Sequence, residues 1–194
     1  MFLISTGAIV ALVILGVFLL LIIGLVGFFI RTLNELRRLE VKTDESFSGI
    51  DVALTKRFDT ITKMVEVVKG YSKHEAETLE KTIRWRSGLP ANATLEDKQA
   101  FSNNLDLVSR NINVVAEQYP QLKADSLFKD LSATILDVEE HLQASRRLYN
   151  ANVSALNQRI VMFPSSLIAA LAHIEKRKFF EAEEQKREDV KIQF

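Results

Sequence analysis

Three histidines, His74, His141 and His173, and 25 acidic side chains are the groups of this chain with which metal or acid–base chemistry could be done. Between the helices of a bundle, carboxylates and imidazoles hold a metal pair when a Glu stands three residues before a His on each of two helices. Tyr71, Val138 and Ala170 occupy those places, so the motif is missing. His74, beside Glu75, then reads as a capping or surface histidine. Cysteine is absent, which removes a sulfur-containing zinc site, any disulfide and a lipidated cysteine at a membrane boundary. Neither a Gly-x-Ser-x-Gly elbow nor a glycine-rich phosphate loop occurs among the seven glycines. The chain is expected to be no enzyme, with no catalytic, cofactor-binding or metal site.

Recognition is the chemistry that remains. Tyr71, Lys73, His74 and Glu75 follow Gly70 at a turn between helical stretches, where side chains are exposed to a partner; the alternative is that they cap the two helices. Arg84, Trp85 and Arg86 form either an exposed contact patch or a tryptophan packed beneath two arginine stems. With 25 basic residues against 25 acidic ones, the basic footprint of a nucleic-acid binder is missing.

The element that positions everything else is the first thirty residues, which hold no charged side chain. Roughly twenty apolar residues cross the ~30 Å hydrocarbon layer, so residues 1–30 suffice for a transmembrane anchor. A cleaved signal would need a basic start, a shorter apolar core and small residues at the cut, whereas this run ends in Phe28, Phe29 and Ile30. No basic residue precedes the run, and Arg31, Arg37, Arg38 and Lys42 follow it. Lys and Arg are retained on the cytoplasmic side, so the N-terminus is expected outside and the large domain inside.

Beyond the run, the breakers are few: Gly49, Gly70, Gly88, Pro90, Pro120 and Pro164. The segments between them carry apolar residues three and four apart, with no sustained alternation, and read as helices. From Arg31 to Lys69 the stripe is Leu33, Leu36, Leu39, Phe47, Ile50, Leu54, Phe58, Ile61, Val65 and Val68. Gly70 is the expected C-terminal cap. A shorter helix is expected from Ser72 to Arg86. A third starts at Thr94, with Asp97 in the capping-box position, and stops at Pro120. Asp125 or Ser126 caps a fourth, whose apolar seam runs to Phe163 and is interrupted once, at Ser145.

Stripes of this period on consecutive segments pack as antiparallel helices at shallow angles. The expected fold is all-α, with residues 1–30 as a transmembrane helix continuing into a long antiparallel four-helix bundle of coiled-coil character over residues 31–163. Residues 164–194 form a juxtamembrane amphipathic segment and a charged tail. If the fourth helix returns to the bilayer, Leu167, Ile168 and Leu171 lie in lipid, and Lys176, Arg177, Lys178, Phe179 and Phe180, with Arg31, lie at the headgroups. Otherwise Leu167, Ile168, Leu171 and Ile174 cover the end of the bundle.

Two long blocks carry a resemblance. SGIDVALTKRFDTITKMVEVVKGYSKHEAETLE at 48–80 and YNANVSALNQRIVMFPSSLIAALAHIEKRKFFEAEE at 149–184 make the chain similar to the LemA family of bacterial membrane proteins. The resemblance implies an N-terminally anchored helical bundle in the bacterial inner membrane, with no accepted enzymatic activity and no catalytic site to carry over. Thr62 stands where many relatives have a proline, and Phe47 where many have a tryptophan. Trp85 has no counterpart in the family's pattern.

The leading expectation is a membrane-anchored scaffold that self-associates through its long helices and organises or remodels the bilayer. The alternative is a tethered adaptor that presents the bundle to a protein partner, such as a protease or signalling protein. The partners expected are therefore the lipid bilayer, further copies of the chain and an unidentified protein.

Overall fold

The computed structural model describes residues 6–83, 88–90 and 92–180. Among the described residues there are six helices: α1 (Thr6–Tyr71), α2 (Lys73–Thr82), α3 (Leu95–Gln118), α4 (Pro120–Ala124), α5 (Ser126–Val161) and α6 (Ser165–Leu171). Among the described residues there is no strand, so the fold is all-helical with an apolar helix at its N-terminus.

The ends of the helices follow local chemistry. α1 runs through Gly70, and its end is set instead by Ser72, which is extended (φ −148°) and whose Oγ accepts the Glu75 N–H at 3.4 Å to start α2. α2 stops four residues earlier than its sequence suggests, at Thr82, where Ile83 turns extended; residues 84–87 lie outside the described residues. Thr94 and Asp97 form the expected capping box, with bonds of 3.1 and 2.9 Å. Pro120 ends α3 and opens the five-residue α4, where a proline is tolerated because the first-turn N–H has no helical partner. Asp125 Oδ1 accepts the Phe128 N–H at 3.0 Å and caps α5.

The chain divides into two compact units, Met1–Lys42 with Val153–Arg177, and Thr43–Asn152 with Lys178–Phe194. α1 and α5 each supply a segment to both.

The first unit is closed by an apolar cluster of Leu36, Leu156, Ile168, Ala169 and Ile174, with Leu33, Leu39 and Ile160 packed against it. α6 ends in a left-handed residue, His173 (φ 52°), and the Ile174 N–H reaches back to Ala169 O at 3.0 Å. This is the six-to-one bond of a Schellman cap, and the buried Ile174 supplies the apolar contact that accompanies it. Beyond it, Asn157 pairs with the Arg177 backbone in both directions, donating to its O at 2.8 Å and accepting from its N–H at 2.9 Å.

The second unit buries Ile50, Leu54, Ile61 and Val68 of α1, Leu79 of α2, Phe101, Leu105 and Ile112 of α3, and Val138 and Leu142 of α5. Rings link these elements, Phe58 with Phe101 at 5.8 Å and Phe47 with Tyr149 at 5.4 Å between centroids. Asn150 holds the backbone of Phe180 as Asn157 holds Arg177, with bonds of 3.0 and 2.8 Å, and Tyr149 OH donates to Lys178 O at 2.9 Å. Residues 172–180 are accordingly not helical; Asn side chains satisfy backbone groups there that a helix would satisfy internally.

Candidate functional site

The end of the first unit next to the apolar run gathers most of the side chains expected to meet lipid. An 18-residue window of α1 has a mean hydropathy of 3.2 and none of it is buried within the structure. A helix so apolar all round is stable only in an apolar surrounding. Against the end of this run packs α6. Leu25, Val26, Phe28 and Phe29 of α1 face Pro164, Leu167, Ile168 and Leu171 across an apolar groove of about 510 Å³. Leu167 and Leu171 are 60% and 71% exposed, whereas Ile168 turns inward to Leu36 and Leu156. Ile168 and Ile174 thus cover the core of the unit, and Leu167 and Leu171 face out.

Directly past the apolar run, Arg31, Asn34, Glu35 and Arg38 of α1 and Arg159 of α5 line a second, polar hollow. Spacings of three and four place the α1 members on one face. Arg159 Nη2 lies 2.6 Å from Glu35 Oε1 with both side chains part-exposed, and Arg37 pairs with Glu40 at 2.7 Å. Lys176 and Arg177 are exposed.

Three of the grouped residues are placed elsewhere. Phe180 is a core side chain of the second unit, 6% exposed, with the Arg146 guanidinium 4.8 Å from its ring centroid; it is corrected from a headgroup residue to a buried one. Lys178 belongs to that unit as well and lies 2.7 Å from Glu96. Their hydrogen bond raises the Lys178 pKa and lowers that of Glu96. Phe179 remains exposed.

At the turn between α1 and α2, Tyr71 OH donates to Asp125 Oδ2 at 2.6 Å, and Tyr119 OH donates to Ser72 Oγ at 3.3 Å. The first bond raises the Tyr71 pKa and lowers that of Asp125. Tyr71 is thereby a structural tie, while Lys73 and His74 point to solvent and Glu75 is half-buried. Arg84, Trp85 and Arg86 lie outside the described residues. Among the described residues, no three His, Asp or Glu side chains converge as metal ligands would.

Sequence reasoning missed two buried cations and a half-buried one beside them. Lys98 Nζ lies 2.6 Å from Asp51 Oδ1 and 3.2 Å from the Phe47 ring centroid, a cation–π contact. Arg57, 4% exposed, places Nη2 2.6 Å from Asp106 Oδ1 and 3.0 Å from Glu139 Oε2. Arg146, the half-buried member, donates from Nη2 to Ser102 Oγ, and desolvation lowers its pKa against the opposing pull of Glu139 and Asp106. α1, α3 and α5 each give one cation and one carboxylate. The pairing is close but poorly aligned, since Asp51 Oδ1, Glu139 Oε2, Arg57 Nε and Nη1, and Arg146 Nε make no hydrogen bond among the described residues. Such a set contributes little net stability, yet it disfavours any register that strands one member. A signal existed: Arg57, Lys98 and Arg146 all fall on the apolar stripes, and Arg146, not Ser145, occupies the gap in the α5 seam.

Comparison with known proteins gives the family of the chain. The model of the LemA family matches residues 46–194, which include both sequence blocks and exclude the apolar run. Protein LemA of Metamycoplasma hominis is 30% identical over 176 residues, covering 89% of this chain and 80% of that protein. A family match over most of the chain and a relative aligned along nearly all of it agree: the chain belongs to the LemA family.

Proposed function

We propose that this protein is a non-enzymatic, membrane-anchored scaffold that self-associates through its long helices and organises the bacterial inner membrane. It crosses the membrane once, with the N-terminus outside and the helical domain in the cytoplasm. The second unit is an antiparallel four-helix bundle of coiled-coil character. Along α1 and α5 the paired positions run in opposite directions, Phe47 with Tyr149 and Lys56 with Asp137. Along α1 and α3 they run the same way, Asp51 with Lys98 and Arg57 with Asp106. Up-down-up-down order requires this relation of first and third helices.

The observation that carries self-association is the mismatch of helix lengths. α2 has 10 residues and α5 has 36. The contacts of α2 with α1 lie at the far end, around Lys69, Glu80 and the groove of Phe58 and Ile83. Val52 and Leu136 are left 71% and 72% exposed, with Leu148 also open. Apolar side chains exposed on both long helices are natural contacts for a second copy. Because the chain has no cysteine, Leu136→Cys is a single-site probe. In membranes, a short bis-maleimide is expected to convert that variant to a covalent dimer and to leave His74→Cys monomeric. Absence of a dimer from each of Val52→Cys, Leu136→Cys and Leu148→Cys would remove the reading.

An adaptor reading is favoured by one feature, the exposure of Lys73 and His74 on a turn fixed by the Tyr71–Asp125 and Tyr119–Ser72 bonds. Capture of a protein partner that is lost in a Lys73→Ala/His74→Ala variant, with no dimer formed, would support it.

A further inference from the structure

We propose that α6 lies within the hydrocarbon of one leaflet, and that the groove between it and α1 holds an acyl chain of a membrane phospholipid. This rests on residues 6–30 being the membrane anchor. Leu25 to Phe29 stand before Arg31 in the same helix, which places the α1 wall of the groove about 3–9 Å deeper than the first charged residue. The opposite wall, formed by Pro164, Leu167 and Leu171, must share that depth because it faces the same α1 residues. Val161, Met162 and Phe163, just before α6, are exposed as well, and Phe163 at 81% is the most open large apolar side chain of the described residues.

The occupant follows from continuity. The groove opens onto the exposed flank of the span, so whatever surrounds the span reaches the groove without crossing a polar boundary. Its volume lies in the range that takes a flexible apolar ligand, and its lining offers no charged group to a peptide or nucleotide. Immediately beyond it, the hollow of Arg31, Arg38 and Arg159 presents three guanidiniums against the single carboxylate of Glu35. That is the charge expected at the level of anionic phosphates. α6 therefore acts as a short wedge in one leaflet, occupying area there without crossing to the other side.

The test uses the full chain with one cysteine at a time, labelled with bimane, in vesicles of phosphatidylcholine and phosphatidylglycerol. Leu171→Cys reads the groove, Leu20→Cys the middle of the span, and His74→Cys the aqueous phase. Leu20 and Leu171 are exposed, so the label displaces no core contact, and circular dichroism checks the helices. The expected result is that phosphatidylcholine brominated near the carbonyl end of its chains quenches the groove label strongly and the aqueous label not at all. Iodide in the water should quench only the label of His74→Cys. Iodide quenching of the groove label, with the span label still quenched by bromolipid, would overturn the wedge and leave the anchor standing. Shielding of the groove label from both quenchers would also overturn it, since protein would then fill the groove. Iodide quenching of the span label would overturn the anchor and the wedge together.

Discussion

The two units handle charge in opposite ways. In the first, the ion pairs Arg159–Glu35 and Arg37–Glu40 lie on the surface and no charged side chain is buried among the described residues. In the second, Arg57 and Lys98 are almost wholly buried, each against a carboxylate from another helix. The difference follows from what each unit must specify. In the first unit α6 is tied to α5 by a tight connection and by the Asn157 clamp, so a few apolar contacts fix its place. In the second, three long helices with similar stripes could slide by a turn at little cost in apolar contact. Buried pairs at 51–98 and 57–106 penalise such a slide, because an unpaired buried charge is far more costly than a shifted leucine.

Breaking one buried pair should therefore cost the most. Arg57→Met takes the guanidinium away from Asp106 and Glu139 and is expected to destabilise the second unit by about 3–5 kcal/mol. Hydrogen exchange at α3 amides would read the loss. Arg159→Met, its counterpart in the first unit, should change stability by only about 0–1 kcal/mol because that pair is half in water. Equal effects would abolish the contrast. Replacing the charges that face one another, Arg57→Met and Arg146→Met with Asp106→Leu and Glu139→Met, should restore most of the lost protection, because none of the four is left without its counter-charge.

Apolar truncation sharpens the same comparison from the other side. Leu36→Ala, at a fully buried position, should cost the first unit about 2–5 kcal/mol, measured as exchange of the α6 amides. Those amides should be insensitive to Arg57→Met. A smaller change in the opposite sense is expected at His173. Its left-handed backbone strains a residue with a Cβ, so His173→Gly should stabilise the first unit by about 0.5–1 kcal/mol.

The mildest effect is on pH dependence, at the Tyr71–Asp125 tie of the second unit. Asp125 is lowered by the Tyr71 hydrogen bond, so its contribution is present above the unfolded-state pKa and is lost as pH falls through the folded one. Tyr71 is raised by the same bond; its contribution is full below the unfolded-state value and is lost as pH rises through the folded one. Tyr71→Phe should take the Tyr71 share out of the alkaline arm and part of the Asp125 share out of the acid arm, read as thermal midpoint against pH, with a small fall of the neutral plateau.

Much of this architecture is legible in the sequence because its signals are local. The uncharged run needs only composition, Thr94 with Asp97 needs four residues, and Pro120 bars the preceding helix from continuing through it. α4 escaped notice because five residues hold too little periodicity to read. Gly70 misled because glycine permits a left-handed cap without requiring one, and Ser72 provided the break. The buried cations left only a weak signal, their place on the apolar stripes, which does not settle burial. A Lys or Arg on a stripe is indistinguishable from a solvated one until the acid facing it is known, and Asp106 is 49 positions from Arg57 in sequence. The same applies to Phe180, whose burial depends on Asn150 and Arg146 of α5.

Self-association on the membrane is tested most directly by the mass and shape of the full-length protein extracted in mild detergent, by light scattering and electron microscopy, beside a chain beginning at Thr32. The expected result is a large, regular particle that requires residues 1–31, with Val52 and Leu136 at the contacts between copies. A monomer in both forms would contradict the scaffold.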